Sequence, residues 1–227
     1  HGLCFDTQGK CVQIPGQDHI PSKARVRAYP VVERYRLVWV WMGDPVLADP
    51  ERIPDMHWND DPAWAGDGKV IHVKCDYRLV VDNLMDLTHE AFVHGSSIGN
   101  RAVAEAPFEV THTDETATVT RWMLDIDPPP FWAFQLRKKT GSVVRCDRWQ
   151  IIRFEAPCTI AIDVGVAPAG SGALPKDGQP GDRSQGVNGF VLNTITPETE
   201  STCHYFWAFA RNYCLGEQRS EEHTSEL

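Results

Sequence analysis

Apolar positions along this chain mostly recur every second residue, and only one segment carries the wider period of a helix. Before residue 49 the apolar runs are short, at 3–5, 12–14 and 35–42, with turn signals at Gln8-Gly9 and Pro15-Gly16 and a stop at Gly43-Asp44-Pro45. The run Arg36-Leu37-Val38-Trp39-Val40-Trp41 has the β-branched and aromatic content of a strand. Residues 45–66 are dense in Pro, Asp and Trp and read as an ordered linker. From Gly66 onward the predicted strands lengthen: 70–75, a hairpin over 108–123 turning near Asp114-Glu115, then 148–154, 159–166, 190–195 and 203–210, spaced for an antiparallel sheet. The stretch 168–186, rich in Gly, Pro, Ser and Asp, reads as a mobile surface loop. The helical period belongs to residues 78–93.

The 227 residues are 42% hydrophobic, enough for a full globular core, and no run approaches the roughly 18 apolar residues of a membrane span. Net charge is −9, which argues against nucleic acid as a partner. Seven Cys without a CxxC pair read as reduced thiols, mostly core fillers, in a cytoplasmic protein. Residues 219–227, Arg-Ser-Glu-Glu-His-Thr-Ser-Glu-Leu, read as one frame of a translated sequencing adapter and are left out of the fold reasoning. They carry one Arg against three Glu, so the rest of the chain carries −7.

The helical segment holds the chemistry: Asn83-x-x-Asp86-x-x-His89-x4-His94. On an α-helix steps of three place Asn83, Asp86 and His89 on one face. His94, five positions after His89, points about 140° away on an ideal helix, so the helix must end or widen before both rings share a metal. The spacing is one residue too long for the His-Glu-x-x-His pattern of zinc peptidases. Two neutral imidazoles and a carboxylate on three corners leave positions open at Fe(II), the arrangement of many oxygenases. Glu90 is expected to face elsewhere on the helix. His19, His57, His72, His112 and His204 have no such grouping and read as ordinary residues, although His204, inside a predicted strand, retains a route to the pocket.

The string CDYRLVVDNLMDLTHEAFVHGSSIG, with VERYRLVWVWMGD, APFEVTHTDETATVTRWM, PPPFW, DRWQIIRFEAP and TITPETE, resembles the Rieske-type aromatic oxygenases, in particular the vanillate O-demethylase oxygenase group. The resemblance covers residue 1 to about 218. It implies an α+β architecture: the C-terminal part of an all-β Rieske domain over 1–48, a linker over 49–66, and over 67–218 a helix-grip catalytic domain with a curved antiparallel sheet, lacking its C-terminal helix. Carried over by position, His89 and His94 are ligands of a mononuclear Fe(II), Asp86 links that iron to the Rieske centre of a neighbouring subunit, and Asn83 lies one turn before it. His1, opening His1-Gly2-Leu3-Cys4, matches the second imidazole of a Rieske [2Fe–2S] cluster whose other ligands precede residue 1. The third iron ligand, an Asp, falls beyond residue 218.

The implied activity is that of the terminal oxygenase of a monooxygenase that O-demethylates a methoxylated aromatic acid with O2. Electrons come from NADH through a flavin and iron–sulfur reductase, and the assembly is a homotrimer. Trp207 is placed in the pocket wall on the grounds that an aromatic ring stacks on another, and Arg148, Arg211 or Asn212 is a partner for the substrate carboxylate. This chain alone is expected to hold iron weakly and not to turn over. Two alternatives stay open: a related oxygenase acting on another aromatic or cyclic substrate, and a metal-free helix-grip module that binds a hydrophobic ligand.

Overall fold

The computed structural model describes residues 1–142 and 144–216, and the segment read as adapter lies outside the described residues. The chain divides into two compact units, His1–Asp55 and Met56–Leu227, a boundary that falls inside the segment read as a linker.

The first unit holds two antiparallel hairpins. One pairs β1 (Cys4–Phe5) with β2 (Cys11–Gln13). The other pairs β3 (Val31–Arg34) with β4 (Leu37–Val40). The expected strand over 35–42 is thus displaced, because Tyr35 and Arg36 are the turn, at φ 60° and 61°. Two central residues in the left-handed region are what a type I′ hairpin requires, and their usual Asn-Gly signature is missing here. Two 3-10 turns follow, Pro45–Leu47 and Pro50–Arg52, each opened by a proline with an Asp side chain capping it.

The second unit is built on one seven-stranded antiparallel sheet. Its elements in chain order are β5 (Ala65–Val73), helices α1 (Tyr77–Met85), α2 (Glu90–Val93) and α3 (Arg101–Glu105), β6 (Glu109–His112), β7 (Thr116–Ile126), α4 (Pro130–Thr140), β8 (Cys146–Glu155), β9 (Thr159–Pro168), β10 (Val187–Thr199) and β11 (Thr202–Arg211). The strand order is β5-β11-β10-β9-β8-β7-β6. The expected α+β class is the observed one, and no described helix is long and apolar enough to cross a membrane.

One face of the sheet carries the helices. Val80 and Leu84 of α1 pack with buried Val119, Ile152, Ile160 and Ile195. Trp132 and Leu136 of α4 pack against buried Val164, Val166 and Val187. Helix α4 is absent from the sequence reading, since the Pro128-Pro129-Pro130 run masks it. Its signature is proline in the first turn and Gly141 just past the end at φ 82°, with Arg137, Lys138 and Lys139 in the last turn.

The other face carries Trp149, which is fully buried. It lies over Gly165, where any Cβ would run into the indole and the Val187 carbonyl. Ala173 and Leu174 close over that indole. The segment read as a mobile loop is therefore anchored: Arg183 pairs with Asp163 at 2.6 Å, and Lys139 Nζ donates to the Ser184 and Gly186 carbonyls. The apolar pair Ala173-Leu174 inside a polar stretch is the reason.

Candidate metal centre and cavity

The segment read as one helix over 78–93 is broken at its centre. Helix α1 stops at Met85 because Asp86 leaves the helical region, at φ −84° and ψ 108°. Its carboxylate turns onto the chain ahead, where Oδ1 accepts from the Thr88 amide at 2.7 Å and the Thr88 hydroxyl at 2.6 Å. Such local capping competes with the helical i→i−4 bond, so a sequence of good period still breaks. One turn of helix resumes as α2, with His89 immediately before it and His94 immediately after.

This break brings the two imidazoles together, with ring centroids 5.4 Å apart and planes inclined by 66°. Two rings that share an ion through bonds of about 2.1 Å have centroids roughly 4.5–5.5 Å apart, so the pair fits a common metal. Nδ1 of His89 is buried without a hydrogen-bond partner, and Asp86 Oδ2 stands 3.9 Å from it, too far for a hydrogen bond. Burial, and then the neighbouring His89, lower the pKa of His94, which favours the neutral form a metal needs. Asp86 is held below the usual carboxylate range by the Thr88 hydroxyl and amide, so it is anionic. Among the described residues no three His, Cys, Asp or Glu side chains surround one ion, and the histidines stand as a pair.

Both rings open into a cavity of 420 Å³ between the helices and the sheet, which Asn83 and Asp86 also line. Its walls are mainly apolar: Ile162, Val164, Val191 and Phe209 from the sheet and Trp132 from α4. That volume lies in the range of small-molecule sites, and the apolar walls favour an aromatic or aliphatic ligand.

A family model for the vanillate O-demethylase oxygenase C-terminal domain matches residues 73–226. The chain belongs to this family. It is 43% identical to a vanillate O-demethylase oxygenase subunit of a Pseudomonas species over 94% of this chain and 63% of that protein. It is 42% identical to the toluene-4-sulfonate monooxygenase system iron-sulfur subunit of Comamonas testosteroni, over 98% of this chain and 62% of the relative. The crystal structure of dicamba monooxygenase bound to 3,6-dichlorosalicylic acid superimposes with a TM-score of 0.87 at 35% identity, covering 100% of this chain and 63% of the other. The chain thus spans less than two thirds of the length of these relatives.

In this member of the family, Trp207 of β11 lines the cavity wall, with Lys69 Nζ 5.4 Å from the centre of its ring. His1 is exposed in the first unit. His204 does not line the cavity; it faces His72 on the sheet surface. Arg211 and Asn212 do not line it either, and both serve the backbone: Arg211 donates to the Ala65 and Cys214 carbonyls, and Asn212 Oδ1 accepts from the Asn188 amide.

Glu90 is the residue the helical projection misplaces. It is only 3% exposed, lines the cavity and receives Arg148 at 2.6 Å on Oε1 and Gln150 Nε2 on Oε2. Arg148 also donates to the Ile98 carbonyl at 2.8 Å. It thereby grips the chain on both sides of His94, and α2 is fastened to β8 by a buried charge pair. Arg121 of β7, in register with Gln150, adds a second buried guanidinium; desolvation lowers its pKa, and Glu90 pulls it back up. The readable signal was Arg148-x-Gln150, two polar residues on one face of a strand rich in apolar ones, which need a buried acid opposite.

Proposed function

We propose that this chain is part of the terminal oxygenase of a Rieske-type monooxygenase that O-demethylates a methoxylated aromatic acid of the vanillate type. The observation that carries the reading is the convergence of His89 and His94 on a mainly apolar cavity of small-molecule size. His89 and His94 hold the mononuclear iron, with a third ligand from beyond residue 218, and His1 serves as an imidazole ligand of the Rieske [2Fe–2S] cluster. Bound at the pair, Fe(II) supplies O2 activation for hydroxylation of the ether methyl, after which the hemiacetal collapses to a phenol and formaldehyde.

The chain's own residues do the rest. Trp207, Trp132 and Phe209 take the aromatic ring and exclude water from the reacting methyl. Glu90 and Arg148 hold the α2 turn, and with it the spacing of the two imidazoles. Thr88 fixes Oδ1 of Asp86, leaving Oδ2 on the His89 side as a bridge toward the Rieske histidine of a neighbouring subunit in a homotrimer. Asn83 lies one turn before that bridge. The electron donor is a flavin and iron–sulfur reductase fed by NADH, and the enzyme works in the cytoplasm.

The test is made on the full-length protein with its reductase, NADH and vanillate. Formaldehyde should appear in step with O2 uptake, and His89→Ala or His94→Ala should remove both activity and the mononuclear iron while leaving the two irons of the cluster. Iron content in both variants equal to that of the unmodified protein would overturn the site, and an unmodified protein without mononuclear iron would favour a metal-free binding module. The likeness to the toluene-4-sulfonate system favours a second reading, oxidation of a methyl group on an aryl sulfonate. Turnover of toluene-4-sulfonate without formaldehyde from any methoxybenzoate would select it.

A further inference from the structure

We infer that His72, His204 and Glu198 form a second cation site, on the surface of the sheet, selective for a borderline divalent ion such as Zn2+. None of the three lines the cavity, and the inference does not rest on the function proposed above.

The framework is set by strand register. His72 of β5 and His204 of β11 are direct cross-strand partners, and their ring centroids lie 5.3 Å apart with planes inclined by 40°. Opposed residues on one sheet face have Cβ atoms about 4.5–5.5 Å apart, so the backbone itself holds two imidazoles at the separation a shared ion requires. Glu198 reaches over from β10, the next strand. Its Oε2 is 2.8 Å from His72 Nε2 and its Oε1 is 3.6 Å from His204 Nε2. Donors bound at about 2.1 Å to one ion stand roughly 3.0 Å apart at octahedral angles and 3.4 Å apart at tetrahedral ones. The two observed separations straddle those values.

In the present conformation the three side chains hold one another and do not yet enclose an ion. Conversion requires a rotation of Glu198, whose side chain is 44% exposed and bonded to His72 and Thr202, within a fixed backbone. The His72 hydrogen bond to Glu198 is then replaced by metal bonds, with Nε2 of His72 as the ligand atom and the ring proton carried on Nδ1. Hydrogen bonds from His72 and then Thr202 keep Glu198 in its anionic form. Two imidazoles and one carboxylate favour Zn2+, Cu2+ or Ni2+ over Mg2+ and Ca2+, which take all-oxygen sites. Exposure leaves the remaining coordination positions to water.

The experiment is calorimetric titration of the purified chain with ZnCl2 in metal-free buffer, in a His89→Ala/His94→Ala background that removes the cavity pair. One equivalent of Zn2+ should still bind, and His72→Ala or His204→Ala should weaken it about 10- to 100-fold or more. Glu198→Gln should weaken it less, since both rings remain. No zinc binding in that background, or an affinity unchanged by His72→Ala and by His204→Ala, overturns the site. If the background variant loses its far-UV dichroism, the same titration compares the unmodified chain with His72→Ala/His204→Ala, which changes exposed side chains only. The number of ions bound should then fall by one, and an unchanged number overturns the proposal equally.

Discussion

Two histidine pairs in the second unit have nearly the same spacing, 5.4 Å for His89 with His94 and 5.3 Å for His72 with His204, yet their surroundings are opposite. The first pair sits beside a cavity, in front of the buried Glu90–Arg148 ion pair, whose side chains are 5% and 1% exposed. The second sits in water against Glu198, with all three side chains more than two-fifths exposed. Equal spacing therefore does not mean equal energetics. Charges near the first pair act through a low-dielectric interior, while those near the second are screened by solvent and salt. The pairs also arise differently: one from a helix that a local cap interrupts, the other from long-range strand register.

The largest expected effect tests the buried side. Arg148→Met leaves the Glu90 carboxylate buried without its guanidinium and should cost about 3–5 kcal/mol in urea unfolding. Replacing both, as Arg148→Met with Glu90→Met, should restore only part of that loss, because two apolar side chains need no partner but Gln150 and the buried Arg121 lose Glu90. A single variant as stable as the unmodified chain would erase the contrast between the two regions. A smaller effect concerns the break that makes the first pair. Asp86→Ala removes the acceptor for the Thr88 amide and should cost about 1 kcal/mol, whereas Asp86→Asn keeps an acceptor oxygen and should cost a few tenths. In the full-length enzyme Asp86→Asn should retain iron but slow electron delivery, which stopped-flow reduction would read. Equal losses for Asn and Ala would show that capping is not what ends α1.

How much of this was legible follows from how local each cause is. The seven strands follow from alternation of apolar residues, and the family strings point to the same sheet. The break at Asp86 is half visible in the sequence: the five-residue spacing of the histidines demands an end to the helix, but Asp-x-Thr is too common a local pattern to mark the cap that supplies it. Helix α4 was hidden by its own opening prolines, although Pro130 and Gly141 mark its two ends. Glu90 was misplaced because a helical projection assumes continuity through Asp86. The pairing of His72 with His204 depends on the register of β5 against β11, some 130 residues apart, and alternation alone does not fix register between distant strands.

The smallest expected effect belongs to the exposed pair and concerns its response to acid and salt. Glu198 titrates below its ordinary value because His72, and then Thr202, hydrogen-bond its charged form. A carboxylate whose folded pKa is lowered stabilises the fold above its unfolded value, near 4.5, and loses that contribution as pH falls through the lower folded value. The urea midpoint of Glu198→Gln should therefore lie slightly below that of the unmodified chain at pH 7, and the two should merge well below pH 4. High salt should shrink the difference at pH 7, since the group is open to solvent, while leaving the larger Arg148→Met effect almost unchanged. A difference that persisted undiminished in acid and in salt would mean that Glu198 acts through packing or backbone contacts. The exposed pair would then be as firmly embedded as the buried one, and the distinction between the two regions would rest on solvent exposure alone.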